Sequence, residues 1–131
     1  MLVVIDTNIL VSSLWSKNGA PAQVMGMVFN GKLVPCYDYR IMNEYRVVLE
    51  RPKFQFSQAE INSLLEWIET SGRSMVAEIS AEPFVDEADR KFYEIAKSCH
   101  AVLITGNKKH FPKKDWIVSV SEFLEQYQTE R

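Results

Sequence analysis

The chain begins Met1-Leu2-Val3-Val4-Ile5, and this apolar run stops at a polar cluster, Asp6-Thr7-Asn8. A short run without a polar residue fits a strand covered on both faces, which is the situation of strands in parallel sheets. A carboxylate directly after such a strand lies at the carboxyl rim of the sheet, where open α/β folds gather their ligands. The run is too short for a signal h-region or a membrane span, and it has no basic flank. The expectation is a soluble, cytoplasmic protein with no membrane association.

Further apolar runs alternate with helical periodicity, the signature of a parallel sheet with helices on both faces. The runs are Lys32–Val34, Met75–Ile79, Ala101–Ile104 and Trp116–Val118. Helices are predicted over Ala20–Asn30, closed by Gly31, and over Tyr39–Leu49, ended by Pro52. Ser57 and Glu60 have capping-box spacing and open a helix through about Thr70, with Ile61, Leu64, Leu65 and Ile68 as its apolar stripe. Asp86 can cap a helix to about Ser98, and Ser119 with Glu122 repeats the capping-box spacing before a last helix. Ser13–Pro21 reads as a loop. With 131 residues, 47% of them apolar, residues 1–131 suffice for one compact domain.

A formal net charge of −2 excludes adhesion to nucleic acid by bulk charge and leaves only local basic patches for that purpose. Cys36 and Cys99 lack the paired spacing of a zinc site or a disulfide framework, and they read as buried free thiols.

Four polar positions can converge in one right-handed parallel sheet. Asp6 follows the first strand, and Asn107 follows Ala101–Ile104 through Thr105 and Gly106. Glu44 lies about 40° from Val48 around its helix, and Asp89 about 60° from Phe92, so each flanks an apolar stripe. Each position also has a plainer role. Asp6 with Thr7 and Asn8 can simply start a helix, Glu44 can be a solvated carboxylate, and Asp86 with Asp89 can serve backbone N–H groups at a helix start.

Taken in order, Ile5-Asp6-Thr7-Asn8, Glu44, Asp86-Glu87-Ala88-Asp89-Arg90-Lys91-Phe92 and Leu103-Ile104-Thr105-Gly106-Asn107-Lys108-Lys109-His110-Phe111-Pro112 resemble the PIN-domain family. More narrowly they are similar to the PIN-family toxins of prokaryotic toxin–antitoxin pairs. The resemblance implies a three-layer α/β/α fold around a central parallel sheet. It also implies an acidic pocket that binds Mg²⁺ or Mn²⁺ and hydrolyses phosphodiester bonds of single-stranded RNA to a 5′-phosphate and a 3′-hydroxyl. Asp6, Glu44 and Asp89 carry over as catalytic metal-binding carboxylates, with Asp86 as an additional ligand. Asn107 stands where many relatives have a fourth aspartate. Thr7, Asn8 and Thr105 would orient the ligands by hydrogen bonds. Hard divalent cations take oxygen donors, which is why such chemistry needs carboxylates. The implied partners are an RNA substrate, a small antitoxin protein and a second copy of the chain in a homodimer.

Lys108, Lys109, Lys113 and Lys114 form the densest basic stretch, and with Arg90 and Lys91 they could hold RNA phosphates beside the pocket, or simply be solvated. His110 reads as structural or phosphate-contacting, since no second histidine is suitably spaced. Trp15, Met25, Met27, Phe29, Phe54 and Trp67 can fill the core or form an interface. Two other readings remain. One is a catalytically weak or inactive PIN-like module that binds RNA or protein. The other is a phosphotransfer domain, which the sequence disfavours because no second aspartate follows two residues after Asp6.

Overall fold

In the computed structural model, which describes residues 1–128, strand β1 (Leu2–Ile5) is the middle of a five-stranded parallel sheet. The others are β2 (Val34–Tyr37), β3 (Arg73–Ser74), β4 (Val102–Ile104) and β5 (Ile117–Val118), in the order β3-β2-β1-β4-β5. Val3, Val4 and Ile5 are buried, as a strand covered on both faces requires. The helices are α1 (Thr7–Trp15), α2 (Ala20–Phe29), α3 (Tyr39–Leu49), α4 (Gln58–Ser71), α5 (Arg90–Cys99) and α6 (Val120–Gln128). They flank the sheet in the three-layer α/β/α arrangement expected from the sequence, with α5 lying against β1, β2 and β4.

The chain leaves β1 toward β2 on one side and leaves β4 toward β5 on the other. Neighbouring strands whose connections run in opposite directions open a crevice at their carboxyl ends. The register pairs Val3 with Val102 and Ile5 with Ile104, so β1 and β4 end flush at that crevice. Their ladder runs one residue further, through Asp6 N donating to Ile104 O at 3.0 Å, while Thr105 N donates to Val118 O at 3.0 Å.

Local signals placed most helices. Both capping boxes form, Ser57 with Glu60 and Ser119 with Glu122. The stripe of Ile61, Leu64, Leu65 and Ile68 is buried, as are Ile41, Tyr45 and Leu49 of α3. Tyr45 also donates its hydroxyl to the carbonyl of Ile5, tying α3 to the carboxyl end of β1.

Two strands differ from their expected positions. The run Lys32–Val34 is mostly the exit from α2, where Asn30 is the C-cap and Gly31 follows it at φ 85°. Leu33 N still donates to Met27 O at 3.0 Å, and the strand lies later, at Val34–Tyr37. Its second residue, Pro35, looks like a strand breaker. Val34 N points at β1, where it donates to Met1 O at 2.8 Å, so the missing donor of Pro35 faces the β3 side. There pairing begins only at Cys36, and no ladder bond is lost.

The run Met75–Ile79 is not a strand. β3 is the pair Arg73–Ser74, and Met75 N adds one bond to Tyr37 O at 2.8 Å. Beyond it Glu78 N donates to Ser98 Oγ and Ser80 N to Glu94 Oε2, so α5 draws the segment off the sheet edge and leaves Val76 and Ile79 exposed. The helix expected from Asp86 to Ser98 divides into a 3-10 turn, Glu87–Asp89, and α5. The loop expected over Ser13–Pro21 shortens to residues 16–19, because α1 runs through Trp15 and α2 starts at Ala20. Among the described residues, no helix is long and apolar enough to cross a membrane.

Gly72 joins α4 to β3 where a side chain does not fit. A Cβ there would sit 2.3 Å from the Pro35 carbonyl oxygen and 2.5 Å from that of Ile68. Gly72→Ala is therefore expected to destabilise the fold by about 1–3 kcal/mol or more through overpacking, read as a lowered urea midpoint at unchanged slope.

Candidate functional site

Four segments meet above the β1–β4 crevice: the start of α1, the middle of α3, the turn before α5, and the loop after β4. Between them is a cavity of about 300 Å³ lined by Asp6, Thr7, Asn8, Glu44, Asp86, Asp89, Asn107 and His110, with Val47, Val48, Ala88 and Arg51 completing the wall. All four expected acidic residues and Asn107 thus face one space.

Asp6 is the deepest, 6% exposed, as the N-cap residue of α1 without a side-chain cap bond. Its Oδ2 accepts from the hydroxyl of fully buried Thr105 at 2.7 Å, and that hydroxyl accepts in turn from Asn107 N at 3.0 Å. Thr105 therefore holds the carboxylate and the loop carrying Asn107 together. Burial pushes the Asp6 carboxyl up to about 6, with Asp89 and Glu44 adding repulsion against the Thr105 bond.

Glu44 is brought in by α3, whose position at the strand end Tyr45 secures. One Glu44 oxygen accepts from Thr7 Oγ1, and the other lies 2.6 Å from Lys91 Nζ. Lys91 also donates to the Ala88 carbonyl. Asp86 caps the 3-10 turn by accepting from Ala88 N at 3.0 Å, whereas Asp89, the N-cap residue of α5, makes no cap bond and turns to the cavity. Burial and Asp86 raise the Asp89 carboxyl above its usual range, and His110 opposes them.

His110 Nδ1 lies 3.2 Å from Asp89 Oδ2, and Asn107 Nδ2 lies 3.0 Å from the same Nδ1 and 3.2 Å from Nε2. A protonated Nδ1 is what lets His110 donate to Asp89, while the Asn107 amide lies near both ring nitrogens. His110 was expected outside the ligand set, and its place here is that of a partner to two members of it.

The basic residues expected to hold phosphates are mostly engaged elsewhere. Lys91 pairs with Glu44, and Lys108 Nζ pairs with Glu122 at 2.9 Å. Arg90 binds Glu87 and donates to Ser80 O at 2.6 Å while its guanidinium covers Phe84. Lys109, Lys113 and Lys114 are exposed, on a separate groove of about 620 Å³ reaching to α6. Of the apolar interface candidates, Trp15, Phe29 and Trp67 are exposed, whereas Met25 is buried.

Sequence reasoning missed a second polar network. Glu94, 2% exposed on α5, accepts from Arg40 Nη1 at 2.8 Å and from Ser80 N at 2.7 Å. Arg40 Nε also lies 2.6 Å from Asp38, which caps α3 through Ile41 N. The network locks α3 to α5, the helices that carry Glu44 and Asp89. The one available signal was a carboxylate within the Phe92–Ala96 apolar stretch, where a buried charge must be paired.

All the carboxylate donors of the cavity are hard oxygens, matching Mg²⁺ or Mn²⁺ in chemistry. The raised Asp6 and Asp89 carboxyls mark a place where a cation would relieve crowded negative charge. Among the described residues no three His, Cys, Asp or Glu side chains meet as a ready cage for an ion. Glu44 is instead paired with Lys91, and Asp89 lies against His110.

Because Asp6 binds its proton more tightly folded than unfolded, it favours the native state most at low pH, and that contribution is lost as pH rises from about 4 through about 6. Asp6→Asn should remove this dependence. Relative to wild type, the variant's thermal midpoint should gain between pH 4.5 and 7 and be equal or higher at neutral pH, as measured by parallel thermal scans.

A family model described as PIN domain matches residues 2–109. A protein of Methanocaldococcus jannaschii, itself described as uncharacterized, is 30% identical over 116 residues, covering 86% of this chain and 75% of the relative. No solved structure matches at a significant level.

Proposed function

This chain belongs to the PIN-domain family, a nuclease fold, and from that premise we propose that it is a Mg²⁺- or Mn²⁺-dependent endoribonuclease acting on single-stranded RNA. The observation that carries the reading is the convergence of Asp6, Glu44, Asp86 and Asp89 on one cavity at the crevice between β1 and β4. Asp6, Glu44 and Asp89 are the proposed metal-holding residues, with Asp86 and the Asn107 side chain beside them. A divalent ion bound there would lower the pKa of an attacking water and stabilise charge on the reacting phosphate oxygens.

The chain's own residues prepare that place. Thr105 and Thr7 hold the Asp6 and Glu44 carboxylates by hydrogen bonds, and Asn8, exposed at the cavity wall, is available to a substrate group. Lys91 pairs with Glu44 and His110 lies against Asp89, and with an ion on the carboxylates both side chains would be placed to face phosphate. Lys109, Lys113 and Lys114 form the remaining phosphate-binding surface.

A toxin role, with a small antitoxin as partner and a homodimer as assembly, is part of the same proposal. It rests on the likeness of the motifs to PIN-family toxins. One set of observations favours a second reading, a catalytically weak module that binds RNA or protein: Asn107 in place of an aspartate, a lysine on Glu44 and a histidine on Asp89.

Cleavage of mixed-sequence single-stranded RNA in Mn²⁺, in Mg²⁺ and in EDTA separates the two. The nuclease reading expects metal-dependent cutting, lost by at least about a hundredfold in Asp6→Asn and Asp89→Asn, and a thermal midpoint raised by Mn²⁺ in wild type only. Silence of wild type on RNA together with no response to Mn²⁺ supports the binding module.

A further inference from the structure

Next to the carboxylate cavity, on the side where α3 ends, lies an aromatic cluster that the catalytic reading does not use. Trp15, the last residue of α1, is 62% exposed although it is the bulkiest side chain on that helix. Its ring meets Phe54 edge-on with centroids 4.9 Å apart, and Phe54 stacks on Phe56 at 5.6 Å and 16°. Phe54 and Phe56 are half-buried and pack against the core, so they fix Trp15 from below and leave it open to solvent.

The cluster is joined to the cavity by the chain itself. Arg51 lines the cavity, and the 3-10 turn Pro52–Phe54 starts at the next residue, rising about 2 Å per residue. On the other side α1 starts at the cavity with Thr7 and reaches Trp15 about 12 Å further on. Three cations are close to the rings in space or in sequence. Lys53 Nζ lies 5.1 Å from the Phe54 centroid, Arg51 stands between ring and cavity, and Lys17 follows Trp15 by two residues. None of the three is within ion-pair distance of a carboxylate among the described residues, in contrast to Arg40, Arg46, Arg90, Lys91, Lys97 and Lys108.

We propose that Trp15, supported by Phe54 and Phe56 and flanked by Lys17, Arg51 and Lys53, is a stacking platform for a base of single-stranded nucleic acid whose backbone runs into the carboxylate cavity. The inference rests on the nuclease reading and deepens it by assigning where the substrate is gripped beside the point of cleavage. An exposed aromatic face takes any base, and neighbouring cations hold the phosphates without reading sequence. The occupant follows from charge. Lys53 lies over the Phe54 ring and Arg51 lines the adjoining cavity, so positive charge sits beside the exposed ring, and the polymer that offers a flat apolar ring and a phosphate at each step is a nucleic acid strand.

The experiment is fluorescence anisotropy of a short fluorescein-labelled single-stranded oligouridylate in EDTA, where cleavage is suppressed, with wild type, Trp15→Ala, Trp15→Phe and Lys53→Glu. The proposal expects Trp15→Ala to bind about 5- to 150-fold more weakly, Trp15→Phe to retain most of the affinity, and Lys53→Glu to bind more weakly with a flatter salt dependence. Equal affinity of Trp15→Ala and wild type overturns the platform, as does a wild type that does not bind. The cleavage assay with Asp6→Asn judges the nuclease reading separately, because Trp15 is outside the carboxylate cavity. Thermal midpoints show whether the variants are folded, and Trp15→Phe, which keeps a ring against Phe54, remains informative if the alanine variant is not. A Trp15→Ala protein with unchanged RNA affinity and a reduced sedimentation mass assigns the rings to a protein contact instead.

Discussion

The hydrogen bond from Thr105 to the buried carboxylate of Asp6 is the contact on which the site depends. It joins the carboxyl ends of the two central strands at the one place in the sheet where the connections diverge. An anion at that depth is unfavourable, and the carboxyl responds by holding its proton to about pH 6. The surrounding structure concentrates this cost instead of relieving it, since α3 and α5 bring Glu44 and Asp89 to the same cavity. Carboxylates that repel one another in a half-closed space favour a positive charge nearby.

The protein supplies provisional partners of its own. Lys91 and His110 lie against Glu44 and Asp89, and Lys91 is held by the Ala88 carbonyl as well. The pairing offsets part of the repulsion among the carboxylates. The Arg40–Glu94–Ser80 network performs the opposite task at a distance. It is fully paired and largely buried, and it fixes the spacing of the helices that deliver the carboxylates. One ionic cluster borders the carboxylate cavity, and the other ties the two helices together beside it.

Much of this was legible beforehand. The helices were placed by capping residues and apolar spacing, which act within a few residues and so are visible locally. The strands near the edge were less so. Lys32 and Leu33 have strand-like character, yet they complete the exit from α2, while Pro35 sits in a strand because only its β1-facing neighbour needed a donor. Met75–Ile79 has β-prone residues, but polar side chains on α5 take the backbone donors that an edge partner would have used. In each case a contact distant in sequence overrode local preference.

The sequence by itself determined the parallel sheet, the carboxylate at the end of its central strand and the faces of the helices that carry Glu44 and Asp89. These depend on periodicity and on which residues end each element. Only the tertiary structure decided which charges meet. Thr105 and Asp6 are 99 residues apart, Arg40 and Glu94 54 apart, and Asp89 and His110 21 apart. Lys91 and Arg90 are adjacent in the chain, yet one pairs with Glu44 and the other turns back to Glu87 and Ser80. Residues next to each other on a helix point about 100° apart, so which of two like charges joins a site depends on what the helix packs against, and that is a property of the assembled layers.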